Sequence, residues 1–218
     1  NTPRNTTMSN RRREDPLAGW VPKTELGKLV MDGQISSIFE IYEEGLKIKE
    51  VQIVDALVPD LKDDVININL VQKQTDAGES SRVTALVAVG NSNGLIGVGL
   101  GKAKRVRNAI EKGIRLAKLN LYPVRRGCGS WECDCGEGHT LPFKVKGKAG
   151  SVIVTLLPGP QGLGLVAGDT AKQVLKLAGI KDCWSKSMGK TTTTNSFAFA
   201  TYEALKATQA IMTPQDWV

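Results

Sequence analysis

The sequence predicts an α+β protein made of two successive sheet-and-helix units. Three observations carry this reading. Short β-branched runs separated by glycine-rich turns fill the stretch from 65 to 100. A long amphipathic, strongly basic helical pattern follows directly. A break at Pro123, extended by a cysteine-rich segment, then separates a second set of strands and helices beginning near Leu141. Strands grouped before helices, rather than strictly alternating with them, favour α+β over a single parallel sheet.

Residues 1–19 are polar, Arg-rich and proline-punctuated, and read as a basic flexible arm carrying Arg4, Arg11, Arg12 and Arg13. Residues 20–64 read as an N-terminal helical extension, with helices expected at 36–44 and 49–57. Val51, Val54 and Leu57 fall at helical spacing, and Pro59 ends the pattern because proline cannot continue the hydrogen-bond ladder. A strand is expected at 65–71, a turn at 78–81, a second strand at 82–89 and a third at 95–100. Gly90-Asn91-Ser92-Asn93-Gly94 joins the last two, since these residues tolerate positive φ. A helix is expected over 102–121, with Ala103, Val106, Ile110, Ile114, Ala117 and Leu121 on its buried face. This gives one unit at 65–126, a Cys-rich connection at 127–140 and a second α+β unit at 141–218. In the second unit a hairpin is expected at 143–148 and 152–157, a helix at 170–178 stopped by Gly179, a strand at 183–186 and a last helix at 195–211.

The chain has 218 residues and a formal net charge of +7. Its distribution is more informative than its total. Residues 102–126 hold nine bases and one acid, whereas residues 14–64 hold twelve acids and five bases. Nine cations facing one acid repel one another unless an anion lies opposite, and nucleic-acid phosphates supply a regular line of negative charge. No apolar run approaches the ~20 residues that span a bilayer, so no membrane association is expected. One histidine excludes every multi-His metal site.

Two glycine loops imitate nucleotide-binding motifs and fail. Gly97 and Gly99 need a third glycine where Lys102 stands. Gly189-Lys190-Thr191 needs a glycine five residues before Gly189, where Trp184 stands. No catalytic constellation is found, and the chain is not expected to be an enzyme. Cys128, Cys133, Cys135 and His139, separated by four, one and three residues, are of the ligand types zinc prefers. They are the metal candidates, against the alternative of an exposed loop with adventitious thiols. Apart from zinc at this cluster, no cofactor is expected. The cysteine usage fits a reducing compartment, and Cys183 reads as a core residue.

Several blocks carry a resemblance. Val71-Gln72-Lys73-Gln74-Thr75, the run from Gly90 to Gly99 and Pro123-Val124-Arg125-Arg126-Gly127 resemble the universal small-subunit ribosomal protein five family. Trp20-Val21-Pro22, Ile48-Lys49-Glu50, Gly138-His139-Thr140 and Thr213-Pro214-Gln215-Asp216-Trp217 resemble its eukaryotic branch, where the family is called protein two. The likeness spans roughly residues 20–217. It implies a double-stranded-RNA-binding-like first domain of helix, three antiparallel strands and helix, followed by a small α+β domain. It implies a structural constituent of the small ribosomal subunit that binds rRNA near the mRNA entrance, supports assembly and decoding fidelity, and neighbours the proteins numbered three, four and eight. The implied location is the cytoplasmic ribosome, with assembly in the nucleolus and nucleus. Residues expected to face RNA are Gln72, Lys73, Gln74, Arg82, Asn91, Asn93, Lys102, Lys104, Arg105, Arg107, Arg125, Arg126, Lys144, Lys146 and Lys148. The sequence departs from the family at Glu79, Val83 and Phe199, and its Cys-rich stretch is atypical of the eukaryotic branch. A free double-stranded-RNA-binding regulator is the alternative; it leaves residues 14–64 and the second unit without a role.

Overall fold

A computed structural model describes residues 20–133 and 135–210. The basic arm at 1–19, the motif at 213–217 and the end of the expected last helix lie outside the described residues. The chain divides into two compact units, residues 1–59 and 60–218.

Among the described residues, the first unit holds three short helices, α1 (Glu25–Met31), α2 (Ile38–Glu43) and α3 (Val51–Leu57). Leu26, Ile35, Ile41 and Ile53 form its core, packed against Trp20, Leu29, Val30, Ile48 and Leu57. The sequence pattern missed α1, because Gly27 interrupts a seven-residue helix. Gly27 is nonetheless required, since a methyl group there would sit 2.8 Å from the Pro22 side chain. Thr24 caps α1 by accepting from the Gly27 N–H, and Ser37 caps α2 by accepting from Phe39. Glu50, the residue before α3, accepts from Trp20 Nε1 at 2.8 Å, Thr24 N at 2.8 Å and Lys23 N at 3.0 Å. One carboxylate thus ties the start of α3 to the start of α1.

The second unit contains two four-stranded sheets. The first has the order β1 (Lys62–Thr75), β2 (Gly78–Gly90), β3 (Leu95–Ala103) and β4 (Tyr122–Pro123), with every pair antiparallel. Both early strands are longer than their apolar pattern. The expected turn at 78–81 is strand: Thr75 pairs with Gly78, and the chain reverses at Asp76-Ala77. Polar residues continue the ladder because backbone pairing does not depend on side-chain hydrophobicity. Beyond Asn69 on β1 and before Val83 on β2 every residue is exposed, so the hairpin projects from the core as a two-stranded finger.

At its base, β2 buries both faces. Val83, Ala85, Val87 and Val89 pack under α4 (Val106–Leu119), while Leu86 and Ala88 join the core formed with the second sheet and its helices. This burial accounts for an apolar residue at position 83. The expected helix at 102–121 starts later, because Lys102 and Ala103 pair with Thr84 and Val83 and extend β3. Its buried face also differs from the expected one. Ala109, Gly113 and Ala117 are buried, Ile110 and Ile114 are only partly so, and Val106 is exposed. The cause lies in β3. Gly97, Gly99 and Gly101 point at α4, and a methyl group on any of them would overlap its backbone at Ala117, Gly113 or Ala109. The helix lies directly on the strand, and only small residues fit the contact.

The second sheet has the order β5 (Val145–Ala149), β6 (Val152–Pro158), β8 (Cys183–Met188) and β7 (Leu165–Val166), with β7 parallel to β8. Helices α5 (Asp169–Ala178) and α6 (Thr194–Lys206) cover it, and a 3₁₀ turn, Ala207–Ala210, ends the described chain. Gly147 repeats the device of β3: a methyl group there would overlap α6 backbone at Ala200 and Ala204. Phe199 packs against this core. Cys183 is buried, as its sequence context suggested, and burial pushes its thiol up to about 12. No helix among the described residues is long and apolar enough to cross a membrane.

Replacing Gly99 with Ala should destabilise the protein by about 2 kcal/mol or more, because overpacking at a backbone contact cannot be relieved by a rotamer change. That corresponds to a fall in thermal midpoint of roughly 4–8 °C. An unchanged midpoint would show that α4 does not rest on β3. In the first unit, desolvation raises the Glu50 pKa, but the hydrogen bonds from Thr24, Trp20 and Lys23 outweigh it and hold the pKa below the ordinary 4.5. A lowered folded-state pKa contributes stability above the unfolded value that is lost as pH falls through the folded one. The Trp20 indole N–H resonance should therefore titrate with a midpoint below 4.5; a midpoint at or above that value would contradict the contact.

Candidate nucleic-acid interface

The expected RNA-facing residues fall on four surfaces of the second unit. The first is the finger. Gln72, Lys73, Gln74 and Arg82 are all exposed there, with Gln72 opposite Ser81 and Gln74 opposite Glu79. Glu79 accepts from Gln72 Nε2 at 3.2 Å, so the one acid beyond the turn is engaged within the finger. Leu70 and Val71 are exposed beside these polar groups.

The second surface surrounds the start of α4. Lys102 leaves the end of β3, Arg105 is the N-cap, and Lys104, Arg105, Arg107, Lys112 and Arg115 are exposed. Glu111 pairs with Arg107 at 3.0 Å, an exposed i,i+4 contact worth only ~0.3–0.5 kcal/mol. The glycine contact beneath the helix turns the small residues inward, so the long cations have nowhere to go but outward.

The third surface is built around Arg125 and Arg126, both half-buried. Val124 N donates to Gly94 O at 2.7 Å, and Arg125 N donates to Thr208 Oγ1 at 3.1 Å. Arg126 Nη2 donates to Asn93 Oδ1. Asn91 Oδ1 accepts from Asn93 N at 2.8 Å and Leu95 N at 3.0 Å, which folds the turn. The turn uses its tolerance of positive φ at Ser92 and Gly94. It docks on the end of α5, with Ser92 N donating to Leu177 O at 2.8 Å and Gly94 N to Ala178 O at 3.0 Å. Asn91 and Asn93 therefore have structural partners, and Asn93 aims a guanidinium. Beside this contact lies a cleft of about 590 Å³ lined by Ser92, Arg126, Leu165, Lys172, Lys176, Gly179, Ile180 and Lys181. Four of these residues are cationic and none is acidic. Sequence reasoning missed Lys172, Lys176 and Lys181; the i,i+4 spacing of the first two was the available signal.

The fourth surface is the outer face of the second sheet. Lys146 and Lys148 alternate with the inward Val145 and Gly147, and Lys144 is exposed just before the strand. Lys146 lies opposite Thr155, which lies opposite Lys186, so an unforeseen lysine joins the row.

The metal candidates converge. The ligand atoms of Cys128, Cys133, Cys135 and His139 lie within 4.8 Å of one another. His139 is buried, and its Nδ1 meets Asp182 Oδ2 at 2.8 Å. Burial pulls the His139 pKa down, but Cys128, Cys133 and Asp182 together raise it above 6.5. The thiols split: the Gln161 backbone and the Cys135 side chain bring Cys133 down to about 6. A hydrogen bond at the Glu137 backbone lowers Cys135, yet burial and its neighbouring thiols push it up to about 11. Close thiols behave so because one thiolate opposes the next. The arrangement could bind zinc.

Comparison with known proteins finds matches over most of the chain. Residues 61–125 match the family described as "Ribosomal protein S5, N-terminal domain", and residues 147–216 match "Ribosomal protein S5, C-terminal domain". A protein named "Small ribosomal subunit protein uS5" from Ignicoccus hospitalis is 57% identical over 199 residues, covering 91% of this chain and 94% of its own. Proteins of the same name from Thermofilum pendens and Pyrobaculum islandicum are 56% identical over 198 residues and 60% identical over 192. The first alignment covers 91% of this chain and 98% of the relative, the second 88% and 95%. These three organisms are archaeal.

Because the finger contributes no core residue, changing Gln72, Lys73 and Arg82 together to Ala should alter unfolding free energy by less than about 0.5 kcal/mol per site. Thermal denaturation of the purified chain measures this. A large loss would mean that these side chains support the fold.

Proposed function

Since the chain belongs to the ribosomal protein S5 family, we propose that it is a structural constituent of the small ribosomal subunit that grips small-subunit rRNA through its finger, its α4 cations, the Arg125–Arg126 loop and the lysine face of β5. The family is non-enzymatic and works in the ribosome. The observation that carries the residue-level reading is the cleft beside Arg126, which gathers four cations without an acid. Phosphates are the partner that relieves such repulsion.

Binding through these surfaces reads phosphate position and helix shape rather than base identity. Duplex RNA hides its base edges in a deep, narrow groove, so cations and backbone amides meet the backbone instead. The first sheet with α4 takes the double-stranded-RNA-binding-like role, and the unit from 141 onward adds its own basic face. Residues 20–64, rich in acids, face neighbouring proteins; those numbered three, four and eight, and mRNA at the entrance, are the neighbours the family resemblance supplies. Through them the protein supports subunit assembly and decoding fidelity.

Cosedimentation with small ribosomal subunits across a salt series tests the proposal. The wild-type chain should travel with the subunits and dissociate steeply as salt rises. Replacing Arg125 and Arg126 with Ala should weaken retention and flatten the salt dependence, by about one phosphate's worth of counterion release per side chain. A chain that stays at the top of the gradient is instead a free RNA-binding protein. Unchanged retention in the double variant would remove this loop from the interface.

A further inference from the structure

The two stretches matched to the S5 family end at 125 and resume at 147. The cysteine-rich segment lies between them, and nothing in the RNA-binding reading uses it. It is also poorly explained as ordinary loop. Among the described residues from 127 to 138, none belongs to a hydrophobic core cluster, and Trp131 is 93% exposed. Its backbone is pinned chiefly at its ends, by the Gly127–Thr140 bridge and by Gly129 N donating to Leu141 O at 3.0 Å. A segment with so little apolar burial needs another source of order.

We infer that Cys128, Cys133, Cys135 and His139 form a structural Zn²⁺ site, oriented by Asp182, that fastens this segment to the start of β8. The donor set is Cys₃His, one of those used by closed structural zinc sites. Tetrahedral zinc, at about 2.3 Å from sulfur and about 2.0 Å from nitrogen, spaces its donors roughly 3.5–3.8 Å apart. Cys133 Sγ and His139 Nε2 are already 3.8 Å apart, and all four donors fall within 4.8 Å. The shell therefore closes by movements of about 1 Å or less. Thiolate sulfur with imidazole selects zinc over the oxygen-seeking magnesium and calcium. Four protein donors leave no open position, so the ion is structural rather than catalytic.

Asp182 supplies the supporting geometry. Its Oδ2 accepts from His139 Nδ1, which fixes the tautomer and leaves Nε2 free to face the sulfurs. Its Oδ1 accepts from Gly164 N at 2.7 Å. The ion, His139, Asp182 and the glycine loop at 159–164 thus form one connected path. Cys128 lies two residues after Arg126, so the same ion anchors the far end of the basic loop.

Metal content decides the matter on the free, full-length chain, without reference to ribosome binding. The protein, prepared from zinc-containing medium and stripped of RNA at high salt, should carry about one zinc per chain, released in step with thiol modification by an organomercurial. Cobalt added to the zinc-free chain should give thiolate-to-cobalt charge-transfer bands and the visible bands of a tetrahedral site. Cys135→Ser should weaken zinc binding at least tenfold and reduce the charge-transfer intensity. Asp182→Asn should weaken it about 10–100-fold while keeping the tetrahedral spectrum. Folded wild-type protein with no metal, freely reactive thiols and no cobalt spectrum would overturn the inference, as would a disulfide among these cysteines. An identical spectrum in Cys135→Ser would remove that ligand. Should Cys135→Ser fail to fold, wild-type zinc content and cobalt spectrum still settle the question.

Discussion

The second unit depends on a backbone-to-backbone contact that only glycine permits. On β3, every second residue from Gly97 to Gly101 faces α4, and each lacks the atom that would push the helix away. On β5, Gly147 lets α6 settle in the same manner. Such contacts leave no room for error, because interiors are packed like crystals and a single methyl group is felt. They also orient the helix. With Ala109, Gly113 and Ala117 turned to the strand, the long side chains of Arg107, Lys112 and Arg115 project outward. The basic surface is therefore a consequence of how the sheet is packed, not an addition to it.

Acidic residues are placed by a different logic. In the first unit Glu50 and Glu40 serve as local hydrogen-bond acceptors, for Trp20, Lys23 and Thr24 in one case and for Ser36 in the other. In the second unit Glu79 is held by Gln72 and Glu111 by Arg107. Asp182 is buried, with partners at both carboxylate oxygens. These acids are tied to neighbours in the chain, which leaves the cations at Arg126, Lys172, Lys176 and Lys181 without a negative group among the residues lining their cleft.

What could be read from sequence follows the range of the forces involved. The strands at 82–89 and 95–100, the turn at 90–94 and the stop at Gly179 were legible because local side-chain chemistry dictates them. Gly179 is left-handed with φ 83°, as a helix-ending glycine should be. The buried face of α4 was misread because hydrophobic periodicity rewards large apolar residues, whereas contact with a glycine strand rewards small ones. The finger was read short because polar residues carry no apolar signal even where their backbone pairs. The four candidate metal ligands were legible as a cluster within twelve residues. Asp182 was not, being forty-three residues from His139. The lysines of the cleft were missed for the same reason: they meet Arg126 only because the turn at Ser92 docks on the end of α5.

That docking shows why such long-range contacts matter for binding. A surface arginine loses rotamer freedom when it meets a phosphate, at a cost of order 0.5–1.5 kcal/mol. Arg126 is already held by Asn93, whose own turn is folded by Asn91 and fastened to Leu177 and Ala178. On the other side, Gly127 bridges Thr140, whose hydroxyl donates to Asp182 O and accepts from Gly159 N at 3.2 Å. The guanidinium is thus positioned from two directions by groups of the fold itself. Part of its ordering is therefore completed on folding, when the turn docks on the end of α5. On the proposed reading, a cation held this way has less freedom left to lose on meeting a phosphate than an unrestrained one. The net charge of +7 conveys little of this arrangement, because a total does not record where the cations are held.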